Sequence, residues 1–306
     1  MSKNLHYIKH SFYALVLSFV IQSCEIINPD EQIPFYLRID SISFIDSSTT
    51  PPTITKPGVQ KITDAWVFVD GEYQGTYELP TTLPISLPEG NHRINVSPGI
   101  LANGMNSDRR IYPFFTDYEI NLNTKAGKVD TLLPKVSYFK DGPNYPPEGV
   151  GQFPEGFEGA GTILKIGPSS KVDTITRTSN SDLVFDGNFS LLFELDASKD
   201  YLEFETVKSY SLPLFLRPVY VELNFRSDVS FTMGLYAENA LTGQVIVIPF
   251  ITLLPTDGEW KKTYLNLSND IVSYSGSKFK IWFNAAHDTK LVKSQLLIDN
   301  FKLIYQ

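Results

Sequence analysis

From Phe35 onward, hydrophobic and polar positions alternate singly rather than in helical threes and fours. Phe35, Leu37 and Ile39 fall on one side, with Tyr36, Arg38 and Asp40 on the other, the period-two pattern of a half-buried strand. Ser47 to Pro52 (SSTTPP) reads as a loop. A second run, DAWVFV at 64–69, ends in Asp70-Gly71, the strongest short hairpin signal. Segments 83–87 and 90–96 keep the rhythm. Further strands are predicted over 189–195, 201–207, 218–226, 230–237, 244–254, 260–267, 278–285 and 296–304. Many short strands separated by turn signals imply a sandwich or barrel.

The first 23 residues obey a different grammar. Lys3 and Lys9 precede the apolar run FYALVLSFVI at 12–21, followed at once by Gln22-Ser23-Cys24. A basic start, an apolar centre and a small residue before a cut make a signal peptide. The run is shorter than the roughly 20 apolar residues a spanning helix needs. Ile21-Gln22-Ser23-Cys24 resembles the lipobox of bacterial lipoproteins. That resemblance implies removal of residues 1–23 and a lipid anchor on Cys24 at the outer membrane, with the leaflet unresolved. An ordinary secretory signal with an incidental Cys24 is the alternative. Residues 24–33 then read as a tether.

Composition narrows the function. Aromatics at 13%, with 20 Pro and 19 Gly, suit strands and turns. A net charge of −8 and the absence of a Lys/Arg cluster exclude the basic footprint that nucleic acid requires. Cys24 is the single cysteine, which excludes a disulfide framework and any thiolate zinc site.

The Pro- and Gly-rich stretch KDGPNYPPEG at 140–149 interrupts every periodicity. A linker is placed at 140–152, between domains at 34–139 and 153–306. Within the first, the VFVDG hairpin, Gly75 and the PEGNHRIN strand resemble PEGA-type domains over residues 65–96. That resemblance gives Asp70 and Gly71 a turn-shaping role, and His92 is read as packed or solvated. In the second domain, Phe157-Glu158-Gly159, GNFSL at 187–191, GEWKK at 258–262 and LIDNF at 297–301 follow one another. In that order they resemble the galactose-binding-like jelly roll of bacterial carbohydrate-binding modules. The expected fold is therefore all-β: a small N-terminal β-sandwich followed by a C-terminal β jelly-roll sandwich. The resemblance also implies a structural Ca²⁺. Glu158 and Asp299 match its carboxylate ligands, and the turn from Asp186 to Asn188 supplies carbonyl oxygens. The competing reading is that these are solvated acids at strand ends.

Parity assigns side chains to faces. Val219, Val221, Leu223 and Phe225 form a core row, leaving Tyr220, Glu222, Asn224 and Arg226 outside. Phe231, Met233, Leu235 and Ala237 leave Tyr236 outside. Phe279, Ile281, Phe283 and Ala285 leave Trp282 and Asn284 outside. Jelly-roll topology is expected to put all three strands in one sheet with a concave outer face. Trp282, Tyr236, Asn224, Arg226 and Glu222 would then share an open, oligo- or polysaccharide-binding surface, with rings for stacking and amide or guanidinium donors for hydroxyls. An ordinary surface, or one covered by the N-terminal domain, is the alternative. No nucleophile elbow, zincin, P-loop or C-x-x-C motif occurs, so a non-catalytic role is expected. The leading reading is a cell-envelope lipoprotein that binds glycan. A structural or assembly subunit of an outer-membrane complex, with the jelly roll binding protein, is the runner-up.

Overall fold

The computed structural model describes residues 32–46, 50–139, 155–214 and 217–305. The signal sequence, Cys24 and the 140–152 linker lie outside the described residues. Among those described, every regular element is a strand except one short 3₁₀ turn, Val272–Tyr274.

The N-terminal part comprises β1 (Phe35–Ile39), β2 (Ser43–Asp46), β3 (Thr53–Ile54), β4 (Asp64–Val69), β5 (Glu72–Glu78), β6 (Thr81–Ile85), β7 (Gly90–Leu101), β8 (Arg109–Ile111), β9 (Tyr118–Thr124), β10 (Val129–Leu132) and β11 (Lys135–Val136). One sheet runs β5-β4-β7-β8, with β9 also on β7. Two three-stranded sheets run β10-β1-β6 and β11-β2-β3. Phe35, Leu37 and Ile39 meet Ala65, Val67, Val69, Ile94 and Val96 in the core between them. The β4–β5 hairpin turns on Asp70 and Gly71, at φ 53° and 89°. Two consecutive positive φ values are what a tight two-residue hairpin demands. His92 ties this turn down: Nδ1 meets Asp70 Oδ2 at 2.6 Å and Nε2 meets the Pro88 carbonyl at 2.8 Å.

The C-terminal part comprises β12 (Leu164–Ile166), β13 (Thr176–Thr178), β14 (Ser190–Leu195), β15 (Tyr201–Thr206), β16 (Val219–Ser227), β17 (Phe231–Asn239), β18 (Val245–Leu253), β19 (Lys261–Asn266), β20 (Ser277–Ala286) and β21 (Ser294–Tyr305). They form two five-stranded sheets, β12-β15-β20-β17-β18 and β13-β14-β21-β16-β19. From β14 onward the chain changes sheet at nearly every step, and only β17 and β18 are consecutive strands paired in one sheet. This weave is the jelly-roll sandwich. The predicted core rows all point inward, and rings from opposite sheets meet there: Phe193 on Phe204 at 4.6 Å, and Phe225 on Phe231 at 5.2 Å.

The same weave overturns one expectation. β16 does not lie beside β17 and β20; it pairs with β19 and β21 in the other sheet. Parity fixes the face a side chain takes but says nothing about the sheet its strand joins. The 228–230 turn is a crossover between sheets, so Glu222, Asn224 and Arg226 are on the opposite side of the sandwich from Tyr236 and Trp282.

Nor is their side open. The N-terminal domain packs against the outer face of β16, β19 and β21, and Tyr220, Tyr264 and Ile304 join its hydrophobic core. Tyr112 stands edge-on to Tyr220 at 5.2 Å and is tilted against Tyr264 at 4.9 Å. Glu222 is fully buried in this seam. It accepts from Tyr112 Oη at 2.6 Å, Tyr138 Oη at 2.8 Å and Lys262 Nζ at 2.9 Å. Asn224, also fully buried, donates from Nδ2 to the Gly58 carbonyl at 2.8 Å. Arg226 reaches sideways to the Asp182 carbonyl at 3.0 Å.

Candidate functional site

The outer face of β12-β15-β20-β17-β18 is the broad face of the jelly roll turned away from the N-terminal domain. Its side chains follow from register. Trp282 stands opposite Glu205 and Gly234, and Gly234 opposite Pro249. One row away, Asn284 is flanked by Glu203 and Thr232, and Thr232 shares a 2.9 Å hydroxyl contact with Thr252. On the other side, Lys280 is flanked by Tyr236, which faces Val247.

Trp282 has the outward parity expected of it, yet its residue is only 4% exposed. The cause is Gly234. A Cβ there would overlap the indole and the Ile248 carbonyl, so glycine lets the ring lie down across β17. A glycine inside a strand commonly marks such a close approach. Tyr236 leans against the indole at 5.8 Å and 33° and keeps more of its surface exposed. Trp282 is therefore a buttress, and Tyr236 is the ring that presents a surface.

The polar groups beside them are fixed. Glu205 accepts from Lys280 at 2.8 Å and from Lys165 at 2.9 Å. Burial pushes its carboxyl up, but the two ammoniums outweigh burial and hold it below the usual range. Burial, together with Glu203 and Glu205, pushes the Tyr236 phenol up to about 12. A recess of about 290 Å³ opens at this end, lined by Glu205, Ser209, Tyr236, Glu238, Val245 and Lys280. Nearby, Glu203 Oε1 and Trp282 Nε1 are buried without a hydrogen-bond partner among the described residues. Such groups are costly unless water or ligand satisfies them.

Glu203, Glu205 and Lys280 were not anticipated from the sequence, although their signal was present. YLEFET alternates Leu202, Phe204 and Thr206 inward with Tyr201, Glu203 and Glu205 outward. The chemistry on offer is recognition of a polyhydroxylated molecule: one ring to stack on, with fixed carboxylate, ammonium, amide and hydroxyl groups around it.

The residues expected to hold Ca²⁺ are gathered at one end of the sandwich. Glu158, Asp186 and Asp299 line a recess of about 390 Å³, together with Glu155, Asn300 and Asp46 of the N-terminal domain. Glu158 Oε1 accepts from the amides of Asn188 at 2.8 Å and Phe189 at 3.0 Å, and Oε2 from Asn188 Nδ2 at 3.1 Å. Asp299 Oδ2 accepts from Ser190 Oγ at 2.6 Å and from the Asp186 amide at 3.1 Å. Among the described residues no group of three His, Cys, Asp or Glu side chains converges as a ready cage. Burial pushes the Asp299 carboxyl up to about 7 despite its hydrogen bonds, and Asp186 adds to the rise. Burial pushes the Glu158 carboxyl up, but Asn188, Phe189 and Arg177 outweigh it and hold it below the usual range, so carbonyl and water oxygens would have to complete any coordination.

No protein-family model matches the chain, and no curated protein matches it. Among solved structures, a carbohydrate-binding module of the β-sandwich superfamily is similar at 10% identity and a TM-score of 0.41, covering 90% of this chain and 99% of its own. The family 11 carbohydrate-binding module of the Clostridium thermocellum cellulase Lic26A-Cel5E is similar at 16% identity and a TM-score of 0.33, covering 53% and 94%. The enzymatically active domain of bacteriophage CBA120 tailspike protein 4 is similar at 13% identity and a TM-score of 0.37, covering 57% and 26%.

Proposed function

We propose that the protein is a non-catalytic glycan-binding protein whose reading surface is the outer face of β15, β20, β17 and β18. The observation that carries this is the Tyr236 ring, held by the buried Trp282 and bordered by fixed polar groups, beside two buried polar atoms without a partner among the described residues. A sugar presents C–H faces to the ring and hydroxyls to the carboxylates and ammonium. The lipobox-like sequence supports a lipid anchor on Cys24, which would place the protein at the outer membrane with the PEGA-like domain as a spacer. A Ca²⁺ held by Glu158, Asp186, Asp299 and oxygens of the turn ending at Asn188 would be structural and would take no part in binding sugar.

A glycan array probed with the purified protein and with Tyr236→Ala tests the reading. Binding that is lost in the variant supports it; an array on which the wild-type protein binds nothing contradicts it. The second reading, a subunit of an envelope protein complex, is favoured by edge strand β18. There Val245, Ile246 and Val247 are 52%, 42% and 56% exposed, and exposed apolar edges are usually blunted or covered.

A further inference from the structure

The aromatic arrangement of the first face recurs on the N-terminal domain. Along β4, Ala65, Val67 and Val69 point into the core, so Trp66 and Phe68 take the outer face by parity. Register flanks Trp66 with Thr76 of β5 and Ser97 of β7, and Phe68 with Tyr73 and Asn95. The indole lies against Gly99 of β7, where a Cβ would press into the indole nitrogen and the Asp64 side chain. Tyr73 leans on the indole at 5.8 Å and 34°. Tyr236 leans on Trp282, which lies over Gly234, at 5.8 Å and 33°. In both places the indole Nε1 is buried without a hydrogen-bond partner among the described residues. The two sheets differ in strand order, so the fold does not oblige them to share this arrangement.

The N-terminal version is the more open one. Tyr73 is 53% exposed, and Trp66 and Phe68 are half-buried. Phe68 meets Tyr73 at 5.5 Å, so the three rings form one platform. Polar groups are fixed around it. Tyr73 Oη and Thr76 Oγ1 share a 2.7 Å hydrogen bond. Ser97 donates to Asn95 Oδ1 at 3.3 Å, and Asn95 Nδ2 donates to Asp117 at 3.4 Å.

Charge separates the two faces. Thr76, Asn95 and Ser97, which flank the rings, are neutral. At one end Arg109 bonds Asp64 and Glu78, and at the other Arg93 lies 3.7 Å from Glu119. The arginines of this face are thus matched by its own acids, and Asp117 is engaged by Asn95. The first face, by contrast, sets Glu205 and Lys280 in the strands beside its ring. Rings bordered by hydroxyl and amide groups suit a neutral, hydroxyl-rich molecule.

We propose that the outer face of β4, β5 and β7 is a second glycan site, selective for neutral sugars. C–H faces stack on Tyr73 and Phe68, with Trp66 as the support, and hydroxyls bond Thr76 and Asn95. The ligand class rests on the glycan-binding reading of the first face, but the two sites share no residue and their different charge gives them different preferred glycans. The N-terminal domain is then a reader as well as a spacer.

Affinity electrophoresis of the intact protein in xylan, galactan and hydroxyethylcellulose, with Tyr73→Ala, Tyr236→Ala and the double variant alongside, tests it. At least one of these neutral polysaccharides should still bind Tyr236→Ala, and Tyr73→Ala should weaken that binding at least about tenfold. Rising salt should leave it unchanged. Tyr73 is exposed, so its removal should keep the wild-type circular dichroism. Hydrogen–deuterium exchange of the wild-type protein with the same polysaccharide should show protection over 64–69 and 72–78, a readout that needs no variant to fold. Failure of Tyr236→Ala to bind any of the three, unchanged binding in Tyr73→Ala, or protection confined to the jelly roll would overturn the proposal. Loss in Tyr73→Ala alone would support this site and count against the first face; loss in Tyr236→Ala alone would do the reverse.

Discussion

Replacing Glu222 with Gln should loosen the seam between the domains. Burial pushes the Glu222 carboxyl up, but the Lys262 and Lys302 ammoniums outweigh it and hold the group well below the usual carboxylate range. Burial likewise draws Lys302 down to about 8, opposed by Glu222 and Asp46. Gln fills the same space and keeps an oxygen for Tyr112 or Tyr138. It leaves Lys262 facing a neutral amide, with Asp46 as the remaining acid acting on Lys302. Removing one partner of a buried ion pair costs about 3–5 kcal/mol. With a urea slope of about 1–3 kcal/mol/M, the unfolding midpoint should fall by at least about 1 M. The control is Arg38→Gln, which breaks a pair whose side chains are 54% and 50% exposed and should cost about 0–1 kcal/mol. Equilibrium urea unfolding, followed by circular dichroism and by fluorescence, reads both. If Glu222→Gln costs no more than Arg38→Gln, the seam is not held by this charge cluster and the reasoning is refuted.

Three other outcomes follow from the same geometry. Asp299 has a folded pKa raised to about 7, so the stability it contributes is fully present below about pH 4 and is lost as pH rises through 7. Metal-free protein should therefore melt at lower temperature at pH 8 than at pH 5; Asp299→Asn should flatten that slope, and added Ca²⁺ should raise the melting point at pH 8 if the ion binds. Phe283→Ala, in the middle of the jelly-roll core, should cost about 3–5 kcal/mol in urea unfolding, and Trp282→Ala, at a residue 4% exposed, a similar amount of about 3–5 kcal/mol; a neutral Trp282→Ala would contradict the buttress role. Cys24→Ala should move the protein from the membrane to the soluble fraction in detergent partitioning, and unchanged partitioning would count against lipid attachment.

Inward parity and the strands from Ser190 onward were legible because period-two alternation is local, whereas β2, β3 and β8 to β13, most of them short, were not predicted. The row Phe279, Ile281, Phe283 and Ala285 could be read from ten residues of sequence. The partnering of β16 could not, since a crossover between sheets leaves no mark on the alternation of the strand it feeds. The covered face did leave a trace: Tyr220, Tyr264 and Ile304 place large apolar surfaces at outward parity on three strands of one sheet, among the ionisable Glu222, Lys262 and Lys302. Apolar and charged side chains sharing an outer face in this way are better explained by a packed partner than by solvent. Trp282 was assigned the right face but the wrong exposure, because its burial depends on Gly234 in a neighbouring strand. That glycine, inside an otherwise regular strand, was the available signal. Glu203 and Glu205 needed only the parity argument applied to β15.

Hydrogen–deuterium exchange of the protein, with and without the glycan selected on the array, tests the central claim most directly, because it locates the contact. The predicted result is glycan-dependent protection confined to 201–206, 231–239, 245–253 and 277–286, with β16, β19 and β21 unchanged. Protection on β16 and β19 instead, or no protection at saturating glycan, would contradict a reading surface centred on Tyr236.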